Sequence, residues 1–159
     1  MHIIIYTDGS SLGNPGPGGY GIVLISGRHR KELSQGYRLT TNNRMELLAV
    51  IVALEALKIS QSTVTVYTDS QYVVNAIENN WVFGWEKNNF KGKKNSDLWR
   101  RFLKVYRCHT VDFKWIKGHD GNKENERCDQ LAVLSAQSLQ LLEDTGYESQ
   151  KNENFEIIF

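Results

Sequence analysis

The sequence has few of the features that mark membrane, secreted or disulfide-stabilised proteins. None of its apolar runs approaches the roughly 20 residues that a bilayer-spanning helix needs. The first residues, MHIIIYTDGS, have neither a basic start nor a long apolar segment, so we expect no secretory signal. Two cysteines, Cys108 and Cys128, are too few for a disulfide scaffold and lack the spacing of metal ligands. These absences favour a cytoplasmic protein with reduced thiols and no membrane partner.

Net charge is also nearly absent, at +1 for 19 basic and 18 acidic residues, so composition alone selects no partner. The distribution of charge is more informative. Between Asn80 and Arg101 there are six basic and two acidic residues, a net charge of +4, whereas the C-terminal end is acidic. Such asymmetry favours a polyanionic partner that contacts one part of the surface.

Internal repeats and domain linkers are absent too, and 159 residues suit one domain with a substantial core. We therefore expect one domain over residues 1–143. Within it, residues 80–99 form a basic and aromatic segment. Residues 144–159 have no clear hydrophobic period, so we predict a loosely ordered tail.

Hydrophobic periodicity predicts an α/β fold. Three short runs separated by tight turns indicate an antiparallel meander, and the later segments alternate between helix and strand. The predicted strands are Ile3–Thr7, Tyr20–Ser26, Lys31–Arg38, Val64–Thr68 and Thr110–Ile116. The predicted helices are Asn42–Lys58, Gln71–Glu78, one around Leu98–Tyr106, and Glu124–Leu142. A meander followed by crossover connections requires a mixed sheet with helices on its faces.

Four carboxylates stand in distinctive positions within these elements. Asp8 and Asp69 each end an apolar strand, whereas Glu46 and Asp129 lie in predicted helices. Ligands of open α/β sheets bind at the carboxyl ends of the strands, where Asp8 and Asp69 become neighbours if their strands pair in parallel. Carboxylates packed together repel unless a cation neutralises them, and Mg²⁺ or Mn²⁺ prefers such oxygen ligands. The pattern favours metal-dependent phosphoryl transfer.

Each carboxylate also has an ordinary explanation when it is taken alone. An aspartate after a strand is commonly a turn residue or a helix cap. Glu46 could simply pair with Arg44, and Asp129 with Arg127. The metal hypothesis rests on the joint occurrence of the four in specific contexts.

Four multi-residue motifs carry a family resemblance. They are YTDGSSLGNPGPGGYGIVL, TNNRMELLAVIVALEAL, VTVYTDSQYV and WIKGHDGNKENERCDQLA, and they resemble bacterial type 1 ribonuclease H from about Ile3 to Leu142. The resemblance implies a five-stranded mixed sheet flanked by helices on both faces. It implies a monomeric endonuclease that hydrolyses the RNA strand of RNA–DNA hybrids. It places the metal-binding carboxylates on Asp8, Glu46, Asp69 and Asp129, and a mobile histidine on His119.

Phosphodiester hydrolysis needs an activated water and a stabilised leaving oxygen, which two metal ions about 4 Å apart can supply. We expect two Mg²⁺ ions, with Mn²⁺ as a substitute. Asp8 would bridge both ions, Glu46 and Asp69 would hold the leaving-group side, and Asp129 the nucleophile side. The products would carry 5′-phosphate and 3′-hydroxyl ends. His119 lies in a glycine-flanked loop and could shuttle a proton or ease product release.

The resemblance also predicts contacts with the hybrid. Short polar side chains near the proposed metal site would read 2′-hydroxyls and base edges; these are Ser11, Asn14, Asn42, Asn43 and Gln71. A basic protrusion would hold the DNA strand through Trp81, Trp85, Lys87 and Phe90. A DNA phosphate pocket would include Thr41, Ser70 and Asn95. The ordinary alternatives are turns and helix caps for the polar residues and internal packing for the aromatic ones. The segment from Glu86 to Phe90 is less cationic than the family's strongly basic form, which leaves the affinity of the protrusion open.

Two other functions remain possible from the sequence. The chain could bind hybrids without cutting them, although the complete set of carboxylates argues against this. It could also be another nuclease on the same fold, such as a junction resolvase or a transposase core. Those proteins should lack the TNNRMEL and GHDGNKENERCDQLA contexts, which this sequence has.

Overall fold

The computed structural model describes residues 2–118 and 121–150, which form one sheet with helices on both faces. The strands are β1 (His2–Ser11), β2 (Gly16–Ser26), β3 (His29–Thr40), β4 (Thr63–Thr68) and β5 (Thr110–Trp115). The helices are α1 (Asn42–Glu55), α2 (Gln71–Glu78), α3 (Trp81–Lys87), α4 (Ser96–Tyr106) and α5 (Lys123–Ala136). A further short helix covers residues 145–150. None of the helices in these ranges has the length and apolar character needed to cross a bilayer.

The sheet is mixed, with the strand order β3-β2-β1-β4-β5. β1, β2 and β3 pair antiparallel, and β4 and β5 continue the sheet in parallel with β1. This confirms the predicted five-stranded mixed sheet. The parallel register of β1 and β4 ends at the pair Thr7–Thr68. The next residues, Asp8 and Asp69, therefore lie at the same edge of the sheet.

Two adjacent glycines of β2 show that α1 and α5 cover opposite faces of the sheet. A Cβ atom on Gly18 would meet the side chain of Met45 in α1 at 3.1 Å, whereas one on Gly19 would meet the carbonyl oxygen of Ala132 in α5 at 2.6 Å. Neighbouring strand residues point to opposite faces. Both helices therefore pack closely against the central strands, where glycine leaves room for them.

The hydrophobic core lies mainly between the sheet and α1. Ten of the fourteen residues of α1 are buried, including Met45, Leu47, Val50 and Ile51. One of the ten is Arg44, which is 1% exposed. An aromatic cluster that includes Trp99, Phe102 and Phe113 extends the core to α4 and β5.

The final helix is shorter than predicted, and its buried face is different. It ends at Ala136, not at Leu142, and it buries Asn125, Cys128, Ala132 and Ala136. The longer helix was predicted from the helical spacing of four leucines, Leu131, Leu134, Leu139 and Leu142. Leu131 is half-buried, but the other three are exposed, Leu139 fully so. Small residues face the sheet because the glycines of β2 and β3 let the helix backbone approach directly. The leucine spacing therefore predicted the wrong buried face for this helix and the wrong C-terminal end.

The chain after α5 folds back onto the edge strand β3. Leu142 donates its backbone N–H to Gly36 (3.0 Å) and accepts from the N–H of Arg38 (2.8 Å). Asp144, within the segment predicted to be a loose tail, is only 7% exposed and accepts a hydrogen bond from Thr40 Oγ1 at 2.7 Å. Packing therefore continues beyond the predicted boundary at residue 143, as far as the helix over 145–150. Residues 151–159 of the predicted tail lie outside the described residues.

Candidate active site

Three carboxylates meet at the carboxyl end of the central parallel strands. Asp8, Glu46 and Asp69 each offer one oxygen atom, and these atoms lie within 4.8 Å of one another. Asp8 and Glu46 are buried at 5% and 7% exposure, and Asp69 is half-buried. The structure thus brings together residues from β1, from the end of β4 and from α1. Asp69 follows the last residue of β4 as predicted, whereas β1 continues past its predicted end at Thr7, because residues Asp8 to Ser11 stay paired with β2.

The position of Glu46 follows from the close contact between α1 and β1. Thr41 caps α1 by accepting a hydrogen bond from the N–H of Arg44 at 3.3 Å, so Glu46 falls in the first two turns. A Cβ atom on Gly9 would lie 2.3 Å from the backbone nitrogen of Glu46. Only glycine permits this approach, which brings Glu46 beside Asp8 in β1.

The electrostatics of the cluster oppose three simultaneous negative charges. Burial raises the pKa of Asp8 to about 8, with further contributions from Asp69 and Asp129. Burial also raises the pKa of Glu46 well above its usual range, with Asp8 and Asp69 adding to the effect. The Oε2 atom of Glu46 is buried and has no hydrogen-bond partner among the described residues. Clustered oxygen donors with an unsatisfied buried atom fit a hard divalent cation.

Asp129 approaches the cluster from α5. The helix is capped by Asn122, whose Oδ1 accepts from the N–H of Asn125 at 2.9 Å. Asp129 lies outside the compact triad, but it is near enough to contribute to the raised pKa of Asp8. The ordinary alternative, an ion pair with Arg127, is wrong, because Arg127 pairs with Glu32 at 2.8 Å. His119 lies outside the described residues.

We predict that the metal-free protein becomes less stable as pH rises from about 4 to about 8. Over this range the folded state retains a proton on Asp8 that the unfolded chain releases. The free energy of unfolding then falls by as much as about 1.4 kcal/mol per pH unit for that group. Urea unfolding in EDTA at pH 5, 6, 7 and 8 measures the slope. Asp8→Asn should flatten it, and an equal slope in both proteins would contradict the assignment.

Two residues near Asp69 gave little signal in the sequence. The indole Nε1 of Trp115 donates to the backbone oxygen of Asp69 at 3.0 Å. A Cβ atom on Gly118 would lie 2.7 Å from Asp69 Oδ2. In the sequence, Trp115 has the spacing of an apolar strand residue and Gly118 lies in a loop. Neither pattern predicted that these residues contact the Asp69 backbone or side chain. Together they show that the exit of β5 packs against Asp69.

Gly118→Ala is expected to lower kcat/KM by about 10-fold or more, because the added methyl group displaces the Asp69 carboxylate. A shift of about 1 Å at a reacting centre can cost 10²-fold. Gly118 has an ordinary backbone conformation, so alanine should change the thermal midpoint by no more than a few degrees. Steady-state cleavage and a thermal melt are compared on one preparation. Unchanged kcat/KM would show that Asp69 tolerates the displacement.

A polar pocket lies beside the N-terminus of α1. Four of the predicted substrate residues line it together with four others that were not predicted, and its volume is about 570 Å³. The predicted residues are Asn14, Thr41, Asn43 and Asn95; the others are Pro15, Lys94, Tyr147 and Gln150. We call this cavity the α1 pocket. It brings together residues that are widely separated along the chain.

The other polar candidates have more varied positions. Ser70 is 6% exposed and caps α2 by accepting from the N–H of Val73 at 3.3 Å, so its hydroxyl already has a structural partner. Gln71 is exposed at the start of α2. The backbone N–H of Asn42 donates to Asn14 Oδ1 at 3.1 Å, which fixes the loop after β1 against α1. Ser11 Oγ is buried and has no hydrogen-bond partner among the described residues.

The aromatic and basic segment is a folded unit in which only part of the surface is available. Trp81 is 50% exposed and Lys87 is exposed. Trp85 is half-buried, with Lys93 Nζ lying 5.2 Å from its ring centroid. Phe90 is 4% exposed, because the chain turns back after α3 and places its ring beneath Arg100. The predicted stacking of a strand on Phe90 is therefore wrong; this ring belongs to the core.

Comparison with known proteins agrees with this architecture. The family model described as RNase H matches residues 1–137. The Ribonuclease H of Syntrophus aciditrophicus is 57% identical over 150 residues, covering 91% of this chain and 86% of that protein. The crystal structure of LC9-RNase H1, a type 1 RNase H with the type 2 active-site motif, superposes with a TM-score of 0.79 at 33% identity. The match covers 94% of this chain and 80% of that one.

A second solved structure, LC11-RNase H1 in complex with an RNA/DNA hybrid, has a TM-score of 0.64 and 28% identity. It covers 85% of this chain and 96% of that one. The matches in sequence, in fold and in element order extend over most of the described residues. The chain therefore belongs to the RNase H family of nucleases.

Proposed function

We propose that this chain hydrolyses the RNA strand of RNA–DNA hybrids by two-metal-ion catalysis, leaving 5′-phosphate and 3′-hydroxyl ends. The observation that carries the proposal is the triad of Asp8, Glu46 and Asp69, whose oxygen atoms lie within 4.8 Å of one another. The similarity to LC11-RNase H1, whose structure contains an RNA/DNA hybrid, supports the choice of substrate.

The carboxylates fit divalent cations, and each has an expected part in holding them. Asp8, Glu46 and Asp69 would hold one ion, and Asp8 with Asp129 would hold the other. Bound metal would supply an activated water and charge stabilisation at the leaving oxygen. The hard oxygen donors favour Mg²⁺, with Mn²⁺ as a substitute. The family is metal-dependent, and these residues are where that dependence would arise.

The protein's own contribution is to position these carboxylates before the substrate arrives. Gly9 fixes the approach of Glu46 to Asp8, and the exit of β5 packs against Asp69. Electrostatic groups held in advance need no reorganisation during the reaction. We assign His119, which stands between glycines in the sequence, to proton movement or product release, since histidine is the side chain best suited to exchange protons at physiological pH.

Recognition of the hybrid would use the polar residues around this edge of the sheet. Asn14, Asn43, Gln71 and Ser11, together with Asn42, would contact the 2′-hydroxyls and base edges of the minor groove. Thr41 and Asn95 line the α1 pocket and would hold a strand phosphate. Trp81, Trp85 and Lys87 would contact the DNA strand from the protrusion. We propose a monomeric, cytoplasmic enzyme, and the free cysteines Cys108 and Cys128 are consistent with a reducing compartment.

A cleavage assay tests the proposal directly. A hybrid with 5′-labelled RNA is incubated with the full chain in Mg²⁺, Mn²⁺ or EDTA, beside duplex DNA and duplex RNA of the same sequence. We expect internal cuts in the hybrid RNA only, dependent on metal, and fragments that a 3′-hydroxyl-dependent polymerase extends. Cleavage of duplex DNA with sparing of hybrid RNA would favour a different nuclease on this fold. Binding without cleavage in every metal would favour a binding module.

A further inference from the structure

The C-terminal segment over residues 144–150 forms one wall of the α1 pocket. Tyr147 and Gln150 line the pocket opposite residues of the β1–β2 loop and of the N-terminus of α1. The sequence pattern of this segment predicted a loose tail and left its role open. The segment is held at both of its ends, so the wall has a defined position.

On the surface, an ion pair fixes the end of the C-terminal segment to β3. Arg38 Nε donates to Glu148 at 3.0 Å, and the backbone of Leu142 is hydrogen-bonded to β3. In the interior, Asp144 fixes the start of the segment. It accepts hydrogen bonds from Thr40 Oγ1 at 2.7 Å and from Arg44 Nε at 2.8 Å. The first turn of the helix follows at once, because Tyr147 donates its N–H to Asp144 Oδ1 at 3.3 Å.

Arg44 joins three of the four segments whose residues line the pocket: α1, the start of α4 and the C-terminal segment. From α1 its guanidinium reaches Asp97 at 2.7 Å, Asp144 at 2.8 Å and Asn95 Oδ1 at 3.3 Å. Gly146 lies against this group, since a Cβ atom there would be 2.0 Å from Asp97 Oδ2. The short helix is therefore packed onto the same buried network that positions Asn95.

The chemistry of the pocket suits the backbone of a nucleic-acid strand. Of the eight described residues that line it, Lys94 alone carries a charge, and the others supply amide, hydroxyl and ring groups. These groups can donate hydrogen bonds to phosphate and sugar oxygens without the repulsion that a carboxylate would add. Thr41 precedes Glu46 by five residues, roughly 7 Å along the helix axis, so a strand in the pocket extends to the metal site.

The geometry points to Tyr147 and Gln150 as substrate-binding residues that hold the sugar–phosphate backbone of the hybrid in the α1 pocket. This inference rests on the proposed function, because the strand in the pocket is taken to be part of the cleaved hybrid. Both residues act on binding and not on the reacting phosphate. Their loss should therefore weaken affinity and leave the turnover of bound substrate intact.

Single and paired substitutions in the full chain test the inference. For Tyr147→Ala combined with Gln150→Ala we expect KM for an RNA–DNA hybrid to rise about 5- to 10-fold, with kcat within about twofold of the wild type. Tyr147→Phe keeps the ring packing and removes the hydroxyl, so it separates donation from packing. Ser149→Ala is the matched control, since Ser149 is exposed on the same helix and does not line the pocket.

Salt dependence separates the contribution of the uncharged residues Tyr147 and Gln150 from that of the charged Lys94. Tyr147 and Gln150 are uncharged, so their loss should weaken binding equally at all salt concentrations. Lys94→Ala should instead reduce the slope of log K against log [salt] by about one. If KM and Kd of the paired variant stay within twofold of Ser149→Ala, the helix is only structural and the inference is wrong.

The failure of this inference can be distinguished from the failure of the proposed function. Fluorescence anisotropy in EDTA measures the Kd for the hybrid without cleavage. If the wild type does not cut hybrid RNA but the paired variant still binds 5- to 10-fold more weakly, the proposed function fails and the binding wall stands. If the wild type cuts hybrid RNA and neither KM nor Kd changes in the paired variant, the proposed function stands. The inference that Tyr147 and Gln150 bind substrate is then wrong.

Discussion

The Asp8→Asn protein is expected to lose cleavage of hybrid RNA by about 10³-fold or more, while its metal-free form becomes more stable than the wild type. Asparagine keeps the size of the side chain but removes a charge at the centre of the cluster. Loss of one electrostatic group that stabilises the transition state typically costs 10²–10³-fold in kcat, and Asp8 would serve both ions. The same change relieves repulsion from Asp69 and Asp129.

The stability gain follows from the burial of Asp8. Its carboxyl is 5% exposed, and burial with neighbouring charges raises its pKa to about 8, so ionising it in the folded state costs free energy at every pH above the usual aspartate pKa. A neutral amide of the same shape avoids that cost, and we expect a gain on the order of 1–3 kcal/mol in EDTA. Added Mg²⁺ should stabilise the wild type more than the variant, because bound metal stabilises only the folded state.

Asp112→Asn is the matched control for this experiment. Asp112 is an exposed carboxylate on β5, paired with Lys114 only at 3.9 Å, and lies outside the triad. Its substitution should change activity by less than twofold and stability by less than about 0.5 kcal/mol. Activity and urea unfolding are measured for all three proteins with and without metal. If the Asp8→Asn protein is inactive but also less stable than the wild type, the stability prediction is wrong. The Asp8 carboxyl would then be stabilised in the folded state by an interaction that asparagine cannot make.

The carboxylate cluster could be predicted from sequence because it depends on local patterns. β-branched runs end at Asp8 and Asp69, and the parallel pairing of their strands follows from the meander and the crossovers. Glu46 could be placed because the apolar face of α1 is wide and Thr41 is a good cap. Each inference needed only the period of one element and the rules that connect elements.

The remaining features depend on contacts between distant segments. The leucines of residues 131–142 have helical spacing, yet small residues of α5 face the sheet because glycines in β2 and β3 remove the side chains opposite them. Phe90 was predicted to contact the DNA strand, but its side chain is buried in the core. The C-terminal wall of the α1 pocket was missed because its anchor, Asp144, pairs with a residue 100 positions earlier.

Arg44→Met is expected to destabilise the protein by about 3–5 kcal/mol, the cost of leaving buried charges without their partner. The Arg44 side chain is 1% exposed, and its guanidinium pairs with Asp97, whose side chain is 35% exposed, and with Asp144 at 8%. Burial disfavours the charged form of Asp97, but hydrogen bonds from Arg44 outweigh it and hold its pKa below the usual value. Methionine fills the space and leaves two carboxylates facing each other.

A second arginine supplies the control. Arg101 forms an ion pair with Glu55 at 2.6 Å, but both side chains are exposed, at 45% and 37%. Arg101→Met should therefore cost less than about 1 kcal/mol. The two variants differ in the burial of the pair and not in the chemistry of the substitution. Urea unfolding of each, with m-values checked against the wild type, gives the comparison.

The triple variant Arg44→Met, Asp97→Asn, Asp144→Asn separates two effects of losing Arg44. One is the loss of its interactions, and the other is the cost of leaving the Asp97 and Asp144 carboxylates without a counter-charge. If the cost arises from uncompensated carboxylates, neutralising both should recover more than half of the lost stability. If the triple variant is no more stable than Arg44→Met, the arginine acts through its packing and through its hydrogen bonds to the start of α4 and to the C-terminal segment. In either case Asn95 and Tyr147 lose a common anchor, so below its unfolding temperature the single variant should bind the hybrid less tightly. An Arg44→Met protein as stable as Arg101→Met would show that the buried network contributes no more than an exposed pair.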